Sequence, residues 1–187
     1  MKKISGILAL GLLLSVNVYA AKISDYQVAG FSVGDSALDF YTKKELAYNY
    51  ENWNEPKYGT SEIEINRDGF DDIQLIYKST DPEFKIEGIS ALEYMDAKDC
   101  LKKMDDEASS IQEQFTTKEV KFYKKREDNY PGKGKVTSIQ TKFNSDKGVI
   151  IIACYDWSDS YAAKMNYNDN LRFSIRSKSY ANFLNRR

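Results

Sequence analysis

The chain has 187 residues, with 27 basic against 28 acidic side chains, two cysteines and no histidine. Without histidine, Ser-His-Asp and Cys-His nucleophiles, His-ligated zinc and the usual proton shuttle near neutral pH are excluded. The near-balance of charge argues against a dedicated nucleic-acid binder.

The N-terminus carries Lys2 and Lys3, an apolar run from Ile7 to Leu14, and Val18-Tyr19-Ala20 before Ala21. This is the pattern of a cleavable export signal, so residues 1–20 are expected to be removed and 21–187 to form one domain, periplasmic or secreted. The apolar run is short for a bilayer, and Ala21 stands where a lipoprotein carries its acylated cysteine. No later segment is long and apolar enough to span, so no membrane span is expected after cleavage. The signal holds two of the bases and no acid, which leaves 25 against 28 and a net charge of −3.

In Gly34-Asp35-Ser36-Ala37-Leu38-Asp39, Asp35 or Ser36 is placed to cap a helix, and Thr42-Lys43-Lys44-Glu45 repeats the capping-box pattern. Two short helical pieces ending before Asn52 are predicted. Ile63 and Ile65 alternate with Glu62 and Glu64, and Ile73, Leu75 and Tyr77 with Asp72, Gln74 and Lys78, as in half-buried strands. Asn66-Arg67-Asp68-Gly69 between them reads as a hairpin turn. The same stretch, Glu64 to Asp72, is similar to the short calcium loops of integrin-type propeller repeats. Glu64, Asn66, Asp68 and Asp72 would supply the oxygen ligands that suit a hard cation. Against this, the first position is Glu rather than Asp, and the motif occurs once where propeller loops recur blade by blade.

A third strand, Phe84 to Tyr94, leads into a helix whose apolar positions Leu101, Met104, Ala108, Ile111 and Phe115 are spaced 3, 4, 3, 4. Asp96 is placed to cap it, and Cys100 falls on the edge of the stripe. Lys118 to Lys125, Val136 to Phe143 and Gly148 to Tyr155 are strand candidates, the last two joined by a turn at Asn144 to Gly148. The run Val149 to Cys154 is apolar on both faces, which predicts a central, doubly covered strand. Pro131 to Lys135 lacks the spacing of a phosphate loop and reads as a turn. Leu171, Phe173 and Ile175 alternate with Arg172, Ser174 and Arg176 in a last strand, and Ser177 is placed to cap a terminal helix. The expected fold is α+β: an antiparallel sheet with one long packed helix, a short N-terminal helix pair and a short C-terminal helix.

An even cysteine count in an oxidising compartment points to a Cys100–Cys154 disulfide, which would staple helix to sheet. Closing a loop of about 55 residues is worth roughly 4 kcal/mol in the chain-entropy model. The competing reading, a reactive dithiol, lacks C-x-x-C spacing and any histidine to lower a thiol pKa. Asp156 and Asp159 flank Trp157, a pairing that glycoside hydrolysis uses, although acidic pairs in loops are commonly surface charge. Aromatics cluster in two connections, Tyr48, Tyr50, Trp53 and Tyr58 in one and Tyr155, Trp157, Tyr161 and Tyr167 in the other. Of these, Trp53, Tyr58, Tyr155 and Trp157 are the candidate ligand-binding rings.

The segments Gly30 to Phe40, Phe84 to Ile89, Cys100 with Lys102-Lys103-Met104, Cys154-Tyr155-Asp156-Trp157 and Leu171 to Ile175 resemble a family of small exported proteins of unknown function from marine bacteria. The resemblance covers most of the mature chain, implies a single domain with Cys100 paired to Cys154, and supplies no catalytic residues. Two functional expectations stand. The first is a non-enzymatic envelope module that binds a protein, a peptide or a saccharide, with no cofactor other than the calcium considered above. The alternative is a histidine-free hydrolase using carboxylates such as Asp156 and Asp159, acting on an envelope or extracellular substrate.

Overall fold

The computed structural model describes residues 26–51, 56–114, 121–127 and 136–186, with backbone alone at 66, 67, 114, 121–127 and 136–139. The segment read as an export signal, Trp53, Phe115 and the turn at 131–135 lie outside the described residues. The elements run β1 (Gln27–Val28), β2 (Phe31–Ser32), a 3-10 turn (Ala37–Asp39), α1 (Lys43–Tyr48), β3 (Tyr50–Glu51), β4 (Tyr58–Arg67), β5 (Phe70–Lys78) and β6 (Ile86–Tyr94). Then come α2 (Ala97–Gln114), β7 (Lys121–Glu127), β8 (Val136–Asn144), β9 (Gly148–Trp157), α3 (Asp159–Met165), β10 (Asn170–Ser177) and α4 (Lys178–Leu184).

Strands β3 to β10 form one antiparallel sheet in the order β3-β4-β5-β6-β10-β9-β8-β7, so the chain folds as α+β. The meanders β3–β6 and β7–β9 are joined in space because β10 returns between them. It pairs with β6 from Asn170↔Tyr94 to Arg176↔Gly88 and with β9 from Asn170↔Tyr155 to Ser177↔Gly148. The run Val149 to Cys154 is buried on both faces, as its unbroken apolar sequence predicts. The hairpin between β4 and β5 turns on Asp68 (φ 54°) and Gly69 (φ 82°) with Arg67 paired to Phe70, which is the geometry of a two-residue type I′ turn.

Alternation gives the sheet an inner face of Ile63, Ile73, Leu75, Ile89, Ile152 and Phe173, and α2 packs there. Asp96 caps α2 by accepting from the Asp99 N–H at 2.9 Å. The helix stripe is rotated from its predicted centre: Cys100 and Met104 are fully buried, Ala108 and Ile111 nearly so, and Leu101 only partly. The reason is the Cys100–Cys154 disulfide, which joins α2 to β9 at a Cα–Cα distance of 5.8 Å and draws Cys100 off the edge of the stripe. On the helix flank, Lys103 pairs with Glu93 of β6.

The N-terminal segment completes this layer with Tyr26, Val28, Phe31, Ala37 and Leu46. The first predicted helical piece is only a 3-10 turn, capped by Ser36, whose Oγ accepts from the Leu38 N–H and donates to the Glu83 carbonyl. The second is α1, with both halves of its capping box formed between Thr42 and Glu45. It stops at Tyr48, because Tyr50 and Glu51 pair with Ser61 and Thr60 as β3 instead of extending the helix.

The outer face is covered in part by α4, capped by Ser177 through a 3.0 Å bond from the Tyr180 N–H. Tyr180, Phe183 and Leu184 pack on Tyr58 and Ile76, and Ala181 on Val149 and Ile151. Gly88 of β6 makes the approach possible, since a Cβ there would lie 2.9 Å from Tyr180 Cδ1 and 3.3 Å from Ile76 Cδ1. No helix among the described residues is long and apolar enough to cross a membrane.

Two outcomes follow. Gly88→Val is expected to push the Tyr180 ring off the sheet and cost about 1–3 kcal/mol in urea unfolding, as overpacking does. Replacing Cys100 and Cys154 together by alanine is expected to cost about 2–5 kcal/mol in the same assay. An unfolding curve unchanged by the double replacement would show that the bond constrains nothing.

Candidate functional site

At the end of the outer face away from α4, β9 leaves the sheet and β10 enters it. Residues two apart on a strand share a face, so Tyr155 and Trp157 stand side by side, as do Asn170 and Arg172. The register sets Asn170 opposite Tyr155 and Arg172 opposite Ala153. Trp157 and Arg172 therefore flank Tyr155 from opposite directions along the strand. The Arg172 guanidinium lies 5.1 Å over the Tyr155 ring, and the Tyr155 and Trp157 rings are 6.2 Å apart at 17°. This cation-on-ring arrangement holds the arginine over the sheet.

Two rings from the α3 connection complete the cluster. Tyr161 stacks on Trp157 at 5.8 Å and 23°, and Tyr167 meets it at 4.8 Å and 49°. The helix that brings them is a small device. None of its residues is buried, its N-cap Ser158 makes no side-chain bond, and it ends on Asn166 in the left-handed region at φ 55°. Asp169 anchors the strand entry below it: its Oδ1 accepts from the Trp157 N–H at 2.8 Å and its carbonyl from the Met95 N–H at 3.1 Å.

Three polar atoms within this cluster are shielded and lack a hydrogen-bond partner: Trp157 Nε1, Asn170 Oδ1 and Arg172 Nε. Asn170 is only 3% exposed, and its Nδ2 is held by the Asn168 carbonyl at 2.9 Å, which fixes where the unpaired Oδ1 points. Each such orphan costs about 1–3 kcal/mol. Three in one place, two donors and one acceptor, mark a locus where polar satisfaction gives way to something else.

Beyond the rings a polar row crosses the outer face. Glu62, Gln74, Ser90 and Ser174 form a row across β4, β5, β6 and β10, with Gln74 Nε2 donating to Glu62 Oε2 at 3.1 Å and the two serine hydroxyls 2.9 Å apart. Burial pushes the Glu62 carboxyl above its ordinary value of 4.5, with Asp72 and Glu51 adding to the rise and Gln74 and Arg172 opposing it. Tyr94 donates to Asp72, and burial together with that carboxylate raises the tyrosine pKa strongly.

The sequence candidates fare differently. Tyr58 is corrected: it is completely buried, with its ring edge-on to Tyr180 at 5.0 Å and its hydroxyl 3.0 Å from Ser179 Oγ, so it presents nothing to a ligand. Of its sequence neighbours, Tyr48 is 89% exposed, and Trp53 lies outside the described residues. Tyr155 and Trp157 are brought together with Tyr161 and Tyr167. Glu64 and Asp72 are cross-strand partners and Asp68 occupies the turn, while the Asn66 side chain is not described. Among the described residues no group of three or more acidic, cysteine or histidine side chains is disposed to hold a metal ion. Asp156 and Asp159 are both exposed. Asp156 lies on the face opposite Tyr155, and its carboxyl is raised by burial and then by Asp169 and Asp159. Arg172 and Asn170 were passed over in the sequence, although the alternation of Arg172 with Leu171 and Phe173 already placed it on the outer face.

No family model, curated protein or solved structure matches this chain.

The Glu62 shift has a measurable consequence. The folded state holds this proton to higher pH than the unfolded chain does, so its contribution to stability falls as pH rises past 4.5. Glu62→Gln is expected to raise the melting temperature near pH 7 and to leave it unchanged near pH 3.5. An equal effect at both pH values would contradict the burial argument.

Proposed function

We propose that this protein is an exported envelope module, periplasmic or secreted, that binds its partner non-enzymatically through the open end of the outer sheet face. The observation that supports it is the stack Arg172–Tyr155–Trp157–Tyr161 with three unpaired polar atoms among its rings. Rings that combine apolar faces with polar tips are the usual anchors of recognition surfaces. The absence of histidine from the chain and the export signal in its sequence are in keeping with a binding role outside the cytoplasm. The disulfide also suits an oxidising compartment.

The test uses a variant that spares the fold. Tyr161 and Tyr167 belong to a connection that buries none of its α3 residues, so Tyr161→Ala with Tyr167→Ala is expected to retain the melting temperature of the parent within a few degrees. In a thermal-shift screen of oligosaccharides, peptides and lipid headgroups, compounds that raise the parent melting temperature are expected to lose that effect on the double variant. Stabilisation that persists in the variant would place binding elsewhere, and no stabilisation by any of the three classes would end the proposal.

A further inference from the structure

Resting on that reading, we infer that the ligand is a neutral saccharide, held by Trp157 Nε1, Asn170 Oδ1 and Arg172 Nε beneath the α3 segment. The three residues surround one ring, Tyr155, on one face of two adjacent strands. All three are shielded without a partner. Two are donors and one is an acceptor. A sugar hydroxyl both donates and accepts, so neighbouring hydroxyls on one pyranose satisfy such a mixed set, while the C–H face of the same ring lies against an aromatic side chain.

The rim argues against an anion. Asp159 lies in the first turn of α3, and Asp169 accepts from the Trp157 N–H at 2.8 Å, so two carboxylates flank the indole. A peptide would be bound more simply by strand addition at a sheet edge, where main-chain groups supply the bonds, whereas the unpaired atoms here are side-chain groups on a face at the centre of the sheet.

Access comes from α3. The segment buries no residue of its own and is tied by ring contacts of Tyr161 and Tyr167 to Trp157. Its two ends are Ser158, without a side-chain cap bond, and Asn166, in the left-handed region. Swinging the segment out exposes the indole N–H, and the sugar ring then lies between Trp157 and the two tyrosines of the segment, which close on its far face. Each ring of the segment then exchanges its contact with Trp157 for one with the sugar, and the three polar atoms gain partners that they lack in the free protein.

Isothermal titration of the protein with maltohexaose, cellohexaose, chitohexaose and an alginate hexamer tests this directly. At least one neutral hexasaccharide is expected to bind with a Kd below about 1 mM, and the alginate to bind at least tenfold more weakly. Trp157→Phe keeps the ring and removes the N–H, and Asn170→Leu removes the acceptor; each is expected to weaken binding about tenfold, with melting temperatures reported alongside so that a misfolded variant is recognised. Arg172→Lys, which keeps the charge and removes Nε, is the second check on the same set. Preference for the anionic hexamer overturns the inference, as does neutral-sugar binding that all three variants leave unchanged. Peptide binding that the Tyr161/Tyr167 double variant abolishes, without any sugar binding, overturns the saccharide and keeps the binding module; no binding of either kind ends both.

Discussion

The pairing of β10 with β6 on one side and β9 on the other is the constraint on which this structure depends. Two antiparallel meanders separated in sequence by a long helix have no reason of their own to share a sheet. A strand that arrives last and completes both ladders supplies that reason. Because side chains alternate along it, the same strand does two jobs. Leu171, Phe173 and Ile175 fill the core beneath α2, and Asn170, Arg172 and Ser174 furnish the polar outer face. The disulfide strengthens the arrangement from the neighbouring strand, joining α2 to β9 over the inner face. A one-residue slip of β10 would exchange its core and outer residues, so the register that builds the core also fixes the site.

The two faces of the sheet are finished differently, and the proposed function rests on the difference. The inner face is an apolar layer covered by α2 and the N-terminal segment. On the outer face α4 packs where Gly88 lets Tyr180 approach and where Ala181 meets Val149 and Ile151. The same face carries a polar row from Glu62 to Ser174, bonded in the pairs Glu62–Gln74 and Ser90–Ser174, and the aromatic stack with its unpaired donors and acceptor. A sheet selected for stability alone would have covered this end with apolar side chains, whose burial contributes more than half-satisfied polar groups. The cost of unpaired polar atoms gathers in this one cluster, which is the ground of the binding proposal.

Local signals in the sequence were legible and non-local ones were not. The capping box at Thr42 and Glu45, the Asp68-Gly69 turn, the Asp96 and Ser177 caps and the two-sided apolar run of β9 depend on neighbours a few residues away, and each formed as its residues dictate. The place of Cys100 at the centre of the helix face was not readable from spacing, because its partner on β9 sets the helix rotation. Tyr58 looked like a surface ring because it sits beside a connection, but its burial comes from α4, more than a hundred residues on, folding back over it. The α3 helix left no trace because none of its side chains is buried and so none needs an apolar stripe. Of the candidate site, the rings were visible as a cluster. Their polar partners Asn170 and Arg172 emerged only with the register between β9 and β10.

Amide hydrogen exchange under native conditions tests the organising role of β10 most directly. If that strand holds the two meanders together, the amides from Leu171 to Ile175 exchange only when the whole molecule unfolds, with protection equal to the global stability and at least as high as that of β4 and β5. Exchange of these amides through a smaller opening, while the β4–β6 meander stays protected, would mean that the halves persist without it and would contradict the account.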